Sequence, residues 1–146
     1  KKVILKQMIE SSSTTIKNLN QNSSYFKKKF KILNLLKDKK LFDKIEISLK
    51  TLKDYIKEKH YKQIDFIKID TEGFEYEILR GLSNEIKNVG IIMFEHHYDS
   101  MIQKNYSFSD IKKLMETNNF ELIFKAKMPL RKTFEYIYIN KKRNFG

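Results

Sequence analysis

The chain has 146 residues, 40% hydrophobic and 13% aromatic, which is enough to core one ordinary domain over 1–146. It contains no cysteine, which excludes disulfides, thiolate metal sites and a cysteine nucleophile, and it shows neither a secretory signal nor an apolar run near the ~20 residues that cross a bilayer. The formal charge is +12, yet every basic residue except Arg80, Arg131 and Arg143 is lysine. Nucleic-acid sites favour the fork of arginine, so the excess reads as solvated lysine from an A/T-rich gene, and the chain as a cytoplasmic protein with no nucleic-acid partner and no membrane insertion.

Val3 to Met8 is a short apolar run that predicts a strand, and Glu10 to Thr15 a polar loop. From Ser24 to about Lys37, Phe26, Phe30, Leu33 and Leu36 recur at helical spacing with lysines turned away. Ile45, Ile47 and Leu49 alternate with polar residues as in a half-buried strand. Thr51 to Asp54 is a capping-box pattern opening a helix with Leu52, Tyr55 and Ile56 inward. Ile64 to Ile69 is an apolar strand ending at Asp70, followed by a helical pattern of Phe74, Ile78 and Leu82 with Gly81 placed as a C-terminal cap.

Val89 to Phe94 is a second apolar strand, and it too ends in an acid, Glu95. Ser107 to Asp110 repeats the capping box before a helix carrying Phe108, Ile111, Leu114 and Met115 inward and ending near Asn118 and Asn119. The strands Glu121 to Lys127 and Phe134 to Asn140 then form an antiparallel hairpin. Strand and helix alternate up to that point, so the expected fold is α/β, a mostly parallel sheet with helices on both faces and a C-terminal antiparallel hairpin.

Ligands of open α/β sheets lie beyond the carboxyl ends of the strands. Asp70 and Glu72 follow one apolar strand, and Glu95, His96 and His97 follow the next. If the two strands are neighbours, these groups share one crevice. Alternation sets Lys68 on the face of Asp70, where it can neutralise Asp70 or Glu95 at ~6–7 Å. The plainer readings are that Asp70 and Glu72 cap the following helix, that Gly73 is a turn residue, that the histidines merely end a strand, and that Glu75 and Glu77 are solvated.

The run Ile64-Asp-Phe-Ile-Lys-Ile-Asp-Thr-Glu-Gly-Phe-Glu-Tyr-Glu-Ile-Leu-Arg-Gly-Leu82 resembles the strand-to-helix motif of the FkbM methyltransferase family, Lys-Ile-Asp-x-Glu-Gly-x-Glu followed by Leu-x-Gly. Ser11-Ser-Ser13, the segment Ile47 to Asp54 and the strand Ile91 to Glu95 resemble the family's flanking elements. The resemblance implies a Rossmann-like class I sheet and an O-methyltransferase that takes its methyl group from S-adenosylmethionine and gives it to a hydroxylated small molecule or glycan. It implies Asp70, Glu72, Glu95 and His96 as catalytic, Asp70 and Gly73 at the cofactor, and Ser12, Ser13 and Lys68 at the acceptor. The family's glycine-rich cofactor loop has no counterpart, since the chain opens at Lys1 and its first glycine is Gly73. The expectation is an N-terminally truncated domain that binds the cofactor poorly or not at all by itself and is inactive alone. Two other classes compete: a hydrolase or phosphoryl-transfer enzyme with Mg²⁺ or Mn²⁺ on the same acids, which metal-dependent thermal stabilisation would reveal, and a basic module for nucleic acid or anionic glycans, which steep salt dependence would reveal.

Overall fold

The computed structural model describes residues 2–8, 14–33, 42–129 and 131–143. It is a mixed α/β structure with two sheets. The three-stranded sheet has the order β2-β1-β3, from β1 (Lys2–Met8), β2 (Thr14–Thr15) and β3 (Phe42–Ser48), and both its pairings are antiparallel. The four-stranded sheet has the order β4-β5-β7-β6, from β4 (Ile64–Ile69), β5 (Val89–His97), β6 (Phe120–Lys127) and β7 (Thr133–Asn140). There β4 and β5 run parallel, while β5–β7 and β6–β7 are antiparallel.

The expectation of a mostly parallel sheet is therefore corrected among the described residues. The strands at both ends of the N-terminal segment leave the main sheet and pair with each other, Val3 opposite Ile47 and Leu5 opposite Ile45. An apolar run in the first and alternation in the second had predicted strands, but not which strand each would choose. Exposed Lys2, Asp43, Lys44 and Glu46 along this ribbon suit an antiparallel pair with water on one side. The C-terminal hairpin is as expected, with a register irregularity between Leu122 and Phe124.

Helices α1 (Ser24–Leu33), α2 (Leu52–Glu58), α3 (Glu75–Leu82) and α4 (Phe108–Thr117) fall where the periodicity put them. The expected last turn of the first, to Lys37, lies outside the described residues, as do the side chains of Phe30, Leu33 and Leu36. Both capping patterns are realised. The Thr51 hydroxyl accepts from the Asp54 amide at 3.1 Å, and Ser107 and Asp110 form a reciprocal box, each such cap contributing ~1 kcal/mol.

Two local expectations fail. Gly81 sits inside α3, and the left-handed residue after the helix is Ser83, at φ 50°, because the chain tightens into a 3-10 turn over Ser83–Asn88 that drives Ile86 into the core. Tyr55 turns outward and is 43% exposed, its ring edge-on to Tyr61. Burial at Ile56 alone is enough for so short a helix.

The core lies on one face of the four-stranded sheet, where Ile92, Phe94, Tyr136 and Tyr138 meet Ile56 of α2, Leu79 and Leu82 of α3, and Ile111 and Met115 of α4. On the opposite face Phe66 is 50% and Phe124 48% exposed. Helices on both faces were expected; the described helices cover one. No described helix is long and apolar enough to cross a membrane. For function the decisive feature is the parallel pairing of β4 with β5, Ile69 opposite Phe94, since it sets the residues just after each, Asp70 and Glu95, side by side.

Candidate functional site

Four acids come off the two strand ends, and the backbone between them is tightly constrained. Glu72 and Gly73 both take positive φ, 48° and 97°, the region an L-residue enters only when its surroundings hold it there. A Cβ on Gly73 would lie 2.5 Å from Ile102 Cγ2. The close approach that requires glycine is thus made by the side chain of Ile102. The Glu72 carbonyl accepts from Thr15 Oγ1 at 2.8 Å, which ties the turn to the three-stranded sheet.

Glu75 underlies this turn and was expected in solvent; it is 1% exposed. One carboxyl oxygen accepts from the Gly73 amide at 2.9 Å and Thr71 Oγ1 at 3.2 Å, and the other from the Tyr106 hydroxyl at 2.7 Å. Its neighbour Glu77 is also engaged, by the Lys17 ammonium. A buried carboxyl group such as that of Glu75 persists when its oxygens are satisfied in this way, whereas Glu77 Oε2 is buried with no hydrogen-bond partner.

Asp70 stays accessible, with Lys68 Nζ at 3.8 Å and both side chains about half exposed. The partner anticipated for Lys68 is therefore Asp70. Glu95 is 7% exposed, and its carboxyl pKa is raised, first by burial and then by the negative charge of Asp70, with Glu135 and Glu72 adding smaller contributions against the opposing effect of His97. The elevation reports burial first and the neighbouring carboxylate of Asp70 second.

The two histidines part company. His97 shares the parity of Glu95 along β5, and its Nε2 lies 3.2 Å from Glu72 Oε2, within ion-pair range though not aligned for a hydrogen bond. Its Nδ1 is 3.0 Å from Thr133 Oγ1 and 3.8 Å from Asp99 Oδ2. Burial alone would lower its pKa, but Asp99 and the charges of Glu72 and Glu75 outweigh burial and raise it. The Lys104 ammonium caps the His97 carbonyl.

His96 has the opposite parity and is not brought to the carboxylates. It is 3% exposed and sits among Tyr98, Phe108 and Tyr106, with ring centroids at 4.8, 5.5 and 6.0 Å. Its Nδ1 has no hydrogen-bond partner. Burial, then the charges of Lys104 and His97, lower its pKa to about 4. Sequence reasoning favoured His96 over His97; the period of two from Glu95 could have chosen His97. Ser12 and Ser13 lie outside the described residues.

The neutrality of His96 has a measurable consequence. In the unfolded chain it protonates near the ordinary ~6.5, but in the folded chain only near 4, so between these values the unfolded state holds more protons. Stability due to this group is therefore present above ~6.5 and lost as pH falls toward 4, by on the order of 2–3 kcal/mol. His97 works in the other direction, its contribution being present in acid and lost as pH rises through its elevated folded pKa. Urea unfolding at pH 7 and 4.5 is expected to show a smaller acid loss in His96→Phe than in the wild type, and equal losses would contradict this account.

Among the described residues no three of His, Asp and Glu gather closely enough to hold a metal ion. The model of the FkbM methyltransferase domain matches residues 3–122, and the chain belongs to that family. No curated protein and no solved structure matches it.

Proposed function

We propose that the chain carries the acceptor side of an S-adenosylmethionine-dependent O-methyltransferase site, on a class I, Rossmann-like sheet, and that it acts in the cytoplasm on a hydroxylated small molecule or glycan. The observation that carries this reading is the convergence of Asp70, Glu72 and Glu95 at the carboxyl ends of two adjacent parallel strands, in a chain whose family is methyltransferase. Three acids faced by one half-exposed lysine and one buried histidine leave unbalanced negative charge, and that suits a cationic group. S-adenosylmethionine would supply an electrophilic methyl group on a positively charged sulfur. Asp70, accessible and adjacent to Glu95, is the residue placed to face that charge, with the Gly73 turn beside it. All four glycines lie at position 73 or beyond, so the glycine-rich cofactor loop is no part of this chain.

Transfer forms an oxygen–carbon bond, breaks the sulfur–carbon bond and releases the proton of the acceptor hydroxyl. Glu72 takes that proton in this reading. The imidazole of His97, within ion-pair range, holds Glu72 in position, and Thr133 and Asp99 hold the imidazole. Glu95 forms the neighbouring wall, Lys68 limits the charge on Asp70, and Ser12 and Ser13 donate to acceptor hydroxyls. His96 belongs to the aromatic core. The test is transfer of label from methyl-labelled S-adenosylmethionine to a set of hydroxylated acceptors by a protein that carries this segment together with a glycine-rich cofactor loop. Labelled ethers are the expected product, and label on amines alone would defeat the O-methyltransferase assignment.

A further inference from the structure

A groove of about 870 Å³ runs between the three-stranded sheet and helices α2 and α3. Leu5 and Ile47 form its sheet wall, Leu52 the α2 wall, and Phe74 and Ile78 the α3 wall. Each of these side chains is only partly buried, so the apolar lining is open to a ligand. Asp70 and Thr71 lie in the same lining, which joins the groove to the strand-end carboxylates. A pocket of this size holds one small organic molecule.

The polar groups define the ligand further. Asp54, Asp70 and Glu77 line the groove together with Lys50. The Lys50 ammonium is paired with Glu58, which lies outside that lining, and Glu77 is paired with Lys17. Asp54 is committed to the Thr51 cap. An anionic ligand would meet carboxylates without a free counter-charge in the lining. Any sugar hydroxyl set against Leu5, Ile47, Leu52, Phe74 or Ile78 would lose water and gain no partner.

We propose that the groove binds the body of the methyl acceptor, and that this acceptor is an uncharged alcohol with an extended apolar body whose hydroxyl is directed toward Asp70. That the ligand is the acceptor rests on the methyltransferase reading; that the groove binds an apolar alcohol does not. The alcohol inserts its apolar part between the sheet and the two helices, and its hydroxyl lies at the end lined by Asp70 and Thr71, beside the strand-end carboxylates.

The test is binding to the whole chain without S-adenosylmethionine, followed by ¹H–¹⁵N NMR with 1-butanol, 1-hexanol and 1-octanol, with maltose and octanoate as comparison ligands. Affinity is expected to rise about fourfold for each added methylene, with the strongest shifts at Ile47, Leu52, Phe74 and Ile78. Ile47→Lys and Ile78→Gln, on opposite walls, are expected to weaken octanol binding at least tenfold while retaining the wild-type circular dichroism. If either variant unfolds, the chain-length series on the wild type still decides. Maltose or octanoate binding more tightly than octanol, or affinity independent of chain length, overturns the proposal. So does a concentration-dependent dimer, seen by sedimentation and abolished by Ile47→Lys, because the groove would then belong to a second copy of the chain. Octanol binding by this chain with no methyl transfer to any alcohol once the segment is joined to a glycine-rich cofactor loop would leave the groove assignment standing and remove the methyltransferase reading.

Discussion

Asp70→Asn, in a protein that carries this segment together with a glycine-rich cofactor loop, is expected to lower methyl transfer at least ~100-fold while leaving the urea midpoint unchanged. The substitution keeps the shape of the side chain and removes its charge. If Asp70 faces a cationic sulfonium, that charge is the main thing it contributes, and an amide cannot replace it. The fold has little stake in the residue. Its single ion pair, with Lys68 at 3.8 Å, is about half exposed on both sides, and such pairs are worth at most ~1 kcal/mol. Removing the charge also relieves Glu95, whose elevated pKa is partly due to Asp70, so the Glu95 pKa is expected to fall in the variant, as ¹³C NMR of its carboxyl would show. Unchanged turnover in Asp70→Asn would take Asp70 out of the mechanism.

Glu75→Ala is expected to have the reverse profile, a loss of stability of ~2–4 kcal/mol that precedes any question of catalysis. Truncation strands three donors at once, the Gly73 amide, the Thr71 hydroxyl and the Tyr106 hydroxyl, and Tyr106 is itself buried. The turn holding Glu72 and Gly73 at positive φ loses the carboxyl beneath it. Glu75→Ala with Tyr106→Phe is expected to recover part of the loss, since one stranded hydroxyl goes with the second change. Urea unfolding of the two single variants and the double variant measures the coupling. A loss below ~1 kcal/mol in Glu75→Ala would show that the buried carboxyl is not what holds the turn.

Much of this arrangement can be read from the residues. Two apolar runs, Ile64 to Ile69 and Val89 to Phe94, each ending in an acid, predict buried strands whose acids would meet if the strands adjoin; the structure pairs them in parallel, but the first is an edge strand with Phe66 half exposed. The Ser107 box and the closing hairpin are legible because capping and alternation are local properties. What escaped depends on distant partners. Glu75 looks solvated until Tyr106, thirty-one positions later, is placed over it. The strands at Lys2–Met8 and Phe42–Ser48 are legible, the first as an apolar run and the second by its period, but they say nothing about each other. His97 is the intermediate case. The alternation that set Lys68 beside Asp70 also sets His97 beside Glu95, and following it one step further would have separated His97 from His96.

The account depends on excess negative charge from β4 and β5 attracting a sulfonium. The most direct measurement is ¹H–¹⁵N NMR of this chain titrated with S-adenosylmethionine to millimolar concentration, compared with neutral S-adenosylhomocysteine, the demethylated product. The account predicts shifts centred on Asp70 to Gly73 and Glu95 to His97 that are larger and appear earlier with the charged donor, and that weaken in Asp70→Asn. Equal response to both compounds, or shifts confined to residues away from these two strand ends, would contradict it.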